Sequence, residues 1–366
     1  MTASDVPPTP AGGGSTTAPP GRQAVRPVPD HVRPARAAQR RPTLSFELMP
    51  PRNPAAAPKF WSTVDHLVAA RPDFVSVTYG AAGGDRTTAQ TVVRRILEHA
   101  PVLPIAHLTC VGASRDNVAE VIDEFLAEGV RSFLALRGDP PRDQPDWQPH
   151  PDGVNSSDEL VALLREVEAQ RCAEDPSSAL RSAARPLTIA VATFLDGNAA
   201  AGTTRSQEVQ RLLEKQQAGA DFAITQLFYD ADSYVGFVDE ARRAGVTLPI
   251  LAGLLPMTDP ARLARVETLT GVPAPRALVR DLESLTDPAA RHAHGIRASV
   301  ELAEAVLAAG APGLHIYTFN KHEAALDLLE GVHLGGGPAH PAAADAGPDL
   351  ASGPWVGASQ PTAALI

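Results

Sequence analysis

The chain is 366 residues long and 44% hydrophobic, enough for a substantial core in one large domain or two ordinary ones. Its 32 Lys+Arg against 42 Asp+Glu leave a net charge of −10, which argues against nucleic acid as the main partner. Two cysteines, Cys110 and Cys172, supply neither a disulfide framework nor a zinc cluster and fit a reducing cytoplasm; no apolar run reaches the ~18 residues of a membrane span.

Residues 1–42 read as a disordered leader rich in Pro, Gly, Ala and Thr. It lacks the apolar core of a secretory signal, and Arg22, Arg26, Arg33, Arg36, Arg40 and Arg41 face only Asp5 and Asp30. A transit peptide or a weak tether to an anionic surface is the less favoured reading. Residues 335–366 are again Gly/Ala/Pro-rich and are expected to be disordered. Between these tails, roughly 290 residues match the usual size of one (β/α)8 barrel.

Short apolar runs then alternate with helical patterns. The runs predict strands at Leu44–Leu48, Phe74–Tyr79, Ile105–Val111, Ser132–Arg137, Leu187–Phe194, Phe222–Phe228, Ile250–Leu255 and Leu314–Phe319. Between them, Val118, Val121, Ile122, Phe125 and Leu126 share a helical face, as do Leu160, Leu163, Leu164 and Val167. Gly129, Gly219, Gly245 and Gly310 stand where helix C-caps are wanted, and Ser114, Ser157 and Thr258 where N-caps are. Residues 275–309 have room for an extra helix. The stretches 140–155 and 173–185 read as loop insertions. Eight such repeats predict an α/β fold, a single-domain (β/α)8 TIM barrel over residues 43–334. The alternative is an open doubly wound sheet, disfavoured because no G-x-G-x-x-G follows the first strand.

The active site of such a barrel lies where strands end and the following loops begin. Those ends carry Glu47, Thr78, His107, Asp139, Gln226, Tyr317 and Asn320. Glu47 is the most pointed. It is one acid in the apolar run Leu44–Leu48, which Pro50 and Pro51 stop soon after, and a buried carboxylate is neutralised, paired or used. A lone polar strand end is more often a hydrogen-bonded structural residue, but a shared rim must desolvate all of these together. One His with two separated carboxylates lacks the spacing of a dedicated metal site. The loop Gly80–Gly84 could cradle a phosphate, although a plain turn is the commoner use. Within Arg137-Gly138-Asp139, Arg137 could face an anionic cofactor, and Gly138 allows close backbone approach.

Ser45-Phe-Glu-Leu-Met-Pro-Pro-Arg52, Phe74-Val-Ser-Val-Thr-Tyr-Gly-Ala81, His107-Leu-Thr-Cys110, Leu136-Arg-Gly-Asp139, Gly219-Ala-Asp-Phe-Ala-Ile-Thr-Gln226 and His315-Ile-Tyr-Thr-Phe-Asn320 occur in that order. Together they resemble the bacterial 5,10-methylenetetrahydrofolate reductases, over residues 43–334 and neither tail. The resemblance implies a flavoprotein barrel, an oxidoreductase acting on a CH–NH group. NADH or NADPH would give hydride to FAD and depart. Methylenetetrahydrofolate would then take the hydride, in a ping-pong sequence that makes 5-methyltetrahydrofolate for methionine synthesis. It implies catalytic roles for Glu47, as the acid that protonates the departing substrate nitrogen, and for Asp139, beside flavin and folate. Thr78, Tyr79, Ala81, His107, Arg137, Gly138, Asp139, Glu208 and Lys215 match cofactor-binding positions. Gln226, Tyr317 and Lys321 match substrate-binding positions. Self-association into a homo-oligomer is also implied.

The chain departs from the family at 193–205, where a Tyr-Pro and a His-Pro-Glu are missing, with Asn198 or Arg205 as candidate substitutes. Lys321 stands for an Arg, and Val266 for an aromatic residue. The altered loop motivates an alternative, a flavin-free or deazaflavin-using methylenetetrahydropterin reductase. A proline-dehydrogenase-like barrel is more distant. A non-catalytic ligand-binding barrel is disfavoured because Glu47, Asp139 and Gln226 are all present.

Overall fold

The computed structural model describes residues 41–79, 86–139 and 147–334. In chain order the regular elements are β1 (Thr43–Leu48), α1 (Ala57–Ala69), β2 (Phe74–Val77), α2 (Arg86–His99), β3 (Leu103–Thr109), α3 (Arg115–Ala127), β4 (Ser132–Leu136), α4 (Ser157–Glu174), α5 (Pro176–Ala184), β5 (Thr188–Thr193) and α6 (Arg205–Ala218). There follow β6 (Phe222–Thr225), α7 (Ala231–Arg243), β7 (Ile250–Leu254), α8 (Pro260–Thr270), α9 (Arg276–Ser284), α10 (Pro288–Ala308), β8 (Gly313–Tyr317) and α11 (His322–Gly331). The strands close in sequence order into a parallel barrel, with β1 paired to β8 from Thr43↔Gly313 to Glu47↔Tyr317. The open sheet is thereby excluded. Most of the leader and the whole tail from residue 335 lie outside the described residues, as does the Gly80–Gly84 loop with Ala81. No helix among the described residues is long and apolar enough to cross a membrane.

Two apolar layers follow from the alternation of side chains along each strand. On β1, Leu44, Phe46 and Leu48 face outward and pack with the helices in one large core. Burying a ring such as Phe46 is worth about 1.5–3 kcal/mol. The opposite parity fills the barrel: Phe74, Ile105, Leu134, Ala190, Phe222, Ile224 and Leu251 form a separate inner cluster. Thr43, Ser45 and Glu47 belong to this inward set, so the acid enters the barrel because its parity differs from that of Phe46 and Leu48.

Helix ends mostly follow the local chemistry read from the residues. Gly129, Gly219, Gly245 and Gly310 all have positive φ, and Ser114 caps α3 through its side chain. Two N-caps shift by one residue. Ser156, not Ser157, takes the extended conformation and accepts from Glu159 N; Asp259, not Thr258, caps α8 and accepts from Ala261 N, with Pro260 as first helical residue. The stretch 173–185 is not a plain loop: Asp175 caps the helix α5, and Ser182 donates to Glu168, which also binds Arg131. The extra room at 275–309 holds both α9 and α10.

Candidate active site

Glu47, His107, Gln226 and Tyr317 come from the C-terminal ends of β1, β3, β6 and β8, which the barrel brings to one face. Glu47 lies in register with Ser76 on β2 and Tyr317 on β8. Its side chain is 17% exposed, enough to meet a ligand and too little for water to solvate a carboxylate well. Burial raises its pKa from 4.5 to about 7. Across the barrel, burial lowers His107 to about 3, so the imidazole is neutral. The 4.0 Å between His107 Nε2 and Glu47 Oε2 is too long for a hydrogen bond, and with a neutral ring the pair is no salt bridge. His107 Nε2 is buried without a hydrogen-bond partner among the described residues, which is the state of a group that awaits a ligand.

Beneath Glu47 the barrel holds a second polar pair. Ser45 Oγ lies 2.8 Å from His315 Nδ1 and 3.2 Å from the carbonyl of Leu314. The His315 ring stacks on Phe74 at 6.1 Å and meets Tyr317 edge-on at 5.2 Å. Burial, with His107 nearby, lowers His315 to about 3. Neither Ser45 nor His315 was singled out from the residues. The signal was there, since each stands two positions before an inward strand-end residue.

Tyr317 crosses to the far strands. Its hydroxyl donates to Thr225 O at 2.8 Å. The ring passes over β7 at Gly253, where an added Cβ would sit 2.8 Å from Tyr317 Cε2 and still closer to Thr225 O. Gly253 is therefore required first by the close approach of the Thr225 carbonyl on β6 and then by the tyrosine ring. Gln226 accepts from Leu227 N at 2.9 Å through its carboxamide oxygen.

Residues 33–333 match the family model described as methylenetetrahydrofolate reductase. The chain belongs to the methylenetetrahydrofolate reductase family. It is similar to the 5,10-methylenetetrahydrofolate reductase of Pectobacterium carotovorum, with 31% identity over 288 residues that cover 78% of this chain and 88% of that protein. Its identity to the Escherichia coli K12 protein of the same name is 29%, covering 76% of this chain and 87% of that one. A probable methylenetetrahydrofolate reductase (NADH) from Oryza sativa is 28% identical, and the match spans 49% of that longer protein. Among solved structures, an uncharacterized protein from Clostridium thermocellum that binds two copies of 5-methyl-5,6,7,8-tetrahydrofolic acid shares the fold, with a TM-score of 0.51. That match covers 80% of this chain and 96% of that one at 15% identity.

Other expected family positions divide by element. Thr78 is buried just after β2. Tyr79 has the opposite parity: its ring packs outward on Phe125 of α3 at 6.2 Å, so only its backbone stands at the rim. Arg137, Gly138 and Asp139 follow β4, with Arg137 and Asp139 exposed and Gly138 at φ 86. Glu208 and Lys215 lie on α6 seven positions apart, hence on one face. Glu208 Oε1 accepts from Thr203 Oγ1 at 2.6 Å and from Arg211 at 3.0 Å. The Lys215 ammonium is buried and donates to Ala192 O at 2.8 Å, and desolvation lowers it to about 8. Lys321 is exposed before α11.

The residues at the family departures are engaged by the fold itself. Val266 does not occupy a rim position, because α8 turns it into the outer core. Arg205 binds Leu195 O and Asp196. Asn198 caps the short turn Ala199–Ala201, accepting from Ala201 N at 3.3 Å. Arg205 and Asn198 thus bond within their own loop, while Thr203 reaches Glu208 of α6.

Proposed function

We propose that this chain reduces 5,10-methylenetetrahydrofolate to 5-methyltetrahydrofolate, with NADH or NADPH as hydride donor and FAD as cofactor. The observation that carries the reading is Glu47, an inward carboxyl raised to about 7 at the mouth of the barrel. The substrate's bridged ring must open to an electrophilic iminium, which requires a proton on the departing nitrogen. A carboxylic acid that keeps its proton near neutrality suits that step, where an ordinary carboxylate would be ionised. Tyr317 lies close enough to Glu47 for a charge there to raise the phenol further. Tyr317 therefore stays a neutral phenol beside the acid, and burial alone holds the proton on Glu47. Gln226 and Tyr317 would orient the pterin, the former through an amide Nε2 left over once its oxygen has bonded Leu227 N. Lys321 would meet the glutamate carboxylate of the substrate as a point charge.

The residues present fit FAD. Bound FAD supplies two-electron hydride chemistry. His107, with its unpartnered Nε2, together with Thr78, Arg137, Gly138 and the backbone of Tyr79, would hold the ring end. Lys215 is a buried cation whose bond goes to a neutral carbonyl, so it suits the pyrophosphate. Glu208 bonds through Oε1, which leaves Oε2 for a ribose hydroxyl. Ala81, outside the described residues, belongs to the same proposal. Asp139, exposed after β4, would add negative charge toward the bound ring, suited to disfavouring an anionic reduced cofactor and to stabilising a cationic substrate.

The test is Glu47→Gln. Flavin reduction by NAD(P)H should survive, while folate reduction falls by orders of magnitude; equal loss in both half-reactions would make Glu47 structural. Asp139→Asn should weaken the folate half-reaction with FAD retained, and recovery of apoprotein alone would count against its role.

A further inference from the structure

The backbone from Glu47 to Met49 is held by residues of both neighbouring strand ends. On the β2 side, Thr78 N donates to Leu48 O at 2.9 Å. On the β8 side the register ends at Glu47↔Tyr317, yet the two strands stay joined through side chains. Thr318 Oγ1 donates to Glu47 O at 2.7 Å and accepts from Asn320 N at 3.1 Å. The Asn320 carboxamide then takes both peptide groups of Met49: Oδ1 accepts from Met49 N at 2.9 Å, and Nδ2 donates to Met49 O at 2.6 Å. One primary amide stands in for the strand residue that would otherwise pair there.

The backbone that presents this amide is uncommon. Phe319 and Asn320 have φ of 47° and 55°, two successive non-glycine residues in the left-handed region. Such strain persists where the surroundings over-determine it, and it clusters at functional sites. Closure of the barrel does not demand it, because five registered pairs already join β1 to β8. What the clasp adds is the placement of the chain immediately after Glu47, where Pro50 and Pro51 have no N–H with which to extend a ladder.

We propose that Asn320 is a positioning residue for proton transfer from Glu47: its two-point clasp on Met49 fixes the end of β1, so that the carboxyl stays inside the barrel mouth opposite His107. The inference rests on the reading of Glu47 as the acid. Asn320→Gly keeps the left-handed backbone without strain and removes both bonds. Asn320→Asp retains an acceptor for Met49 N and sets a second oxygen against Met49 O.

Each variant, with Glu47→Gln and the parent, is prepared as holoprotein, and the two half-reactions are followed separately across pH. A misplacement of this kind costs about 100-fold in the folate half-reaction. The nicotinamide half-reaction should stay within about twofold, since none of the moved groups serves it. The alkaline limb, where the acid loses its proton, should shift from about 7 toward 4.5 as water reaches the loosened carboxyl. A clasp that served stability alone would leave that limb in place. Equal losses in both half-reactions, or an unmoved limb in Asn320→Gly and Asn320→Asp, would overturn the inference. If Glu47→Gln itself reduces folate normally, the acid assignment fails and takes the positioning role with it. If Glu47→Gln is inactive while both Asn320 variants match the parent, only the positioning role falls.

Discussion

Replacing Glu47 by glutamine should stabilise the protein by an amount that grows as pH rises from about 4.5 to about 7 and is constant above. The carboxyl has a pKa of about 7 in the fold and 4.5 when solvated. Because the folded value is the higher, this group's contribution to stability is fully present below pH 4.5 and is lost as pH rises through 7. The difference, about 7 minus 4.5, converts at about 1.4 kcal/mol per pH unit to about 3 kcal/mol. At 17% exposure the side chain is covered enough for most of that figure to be felt. Glutamine occupies nearly the same volume and never ionises. The variant and the parent should therefore be equally stable near pH 4.5, and the variant should be more stable by up to about 3 kcal/mol above pH 7. In a domain of this size that is a rise in Tm on the order of 6 °C. His107 and His315 also change stability on the acid side, but they are common to both proteins and cancel in the difference. Thermal or urea unfolding of the pair at several pH values reads the effect directly. A difference that stays flat with pH would show that Glu47 ionises normally and is not the held acid.

Tyr317→Phe should remove the bond to Thr225 O, worth about 1 kcal/mol, and leave the barrel strands in place. The folate KM should rise about tenfold with flavin reduction unchanged, and an unaltered KM would release Tyr317 from substrate binding. Burial raises the Cys110 thiol to about 11, whereas Cys172 is partly exposed. A thiol reagent should therefore label only Cys172 until the protein is denatured, and rapid modification of both would contradict the packing around β3. His315 has a folded value of about 3 against 6.5 when solvated, so the unfolded chain takes up its proton first and stability falls as pH drops through that interval. His315→Asn should lose stability less steeply over the same range in acid denaturation, and an identical slope would mean that His315 protonates freely.

The barrel was legible because it rests on two local signals, apolar runs of strand length and glycines at helix ends, repeated eight times. Glu47 stood out for the same reason: a single acid breaks an otherwise apolar run. Parity along the second strand is less forgiving. Thr78 and Tyr79 look equally suited to a rim, yet one residue of offset sends the tyrosine ring outward onto Phe125. Val266 was misplaced because helical rotation, not strand order, decides where it points. The contacts that position the site were beyond local inspection. The Asn320–Met49 clasp joins residues 271 positions apart, and Tyr317 reaches Thr225 across 92. Such pairs exist only once the register of β8 with β1 and of β6 with β7 is set. At 193–205, Arg205 binds Leu195 O and Asp196, and Asn198 pairs with Thr203, an outcome that composition leaves open.

The most direct measurement is the visible spectrum of the purified protein, first alone, then with NADH under anaerobic conditions, then after addition of methylenetetrahydrofolate. An oxidised-flavin band should bleach with NADH and return with the folate, while Glu47→Gln should bleach and not recover. A colourless protein that still couples NADH oxidation to methylenetetrahydrofolate reduction would contradict the flavin assignment and return the altered 193–205 loop to the centre of the question.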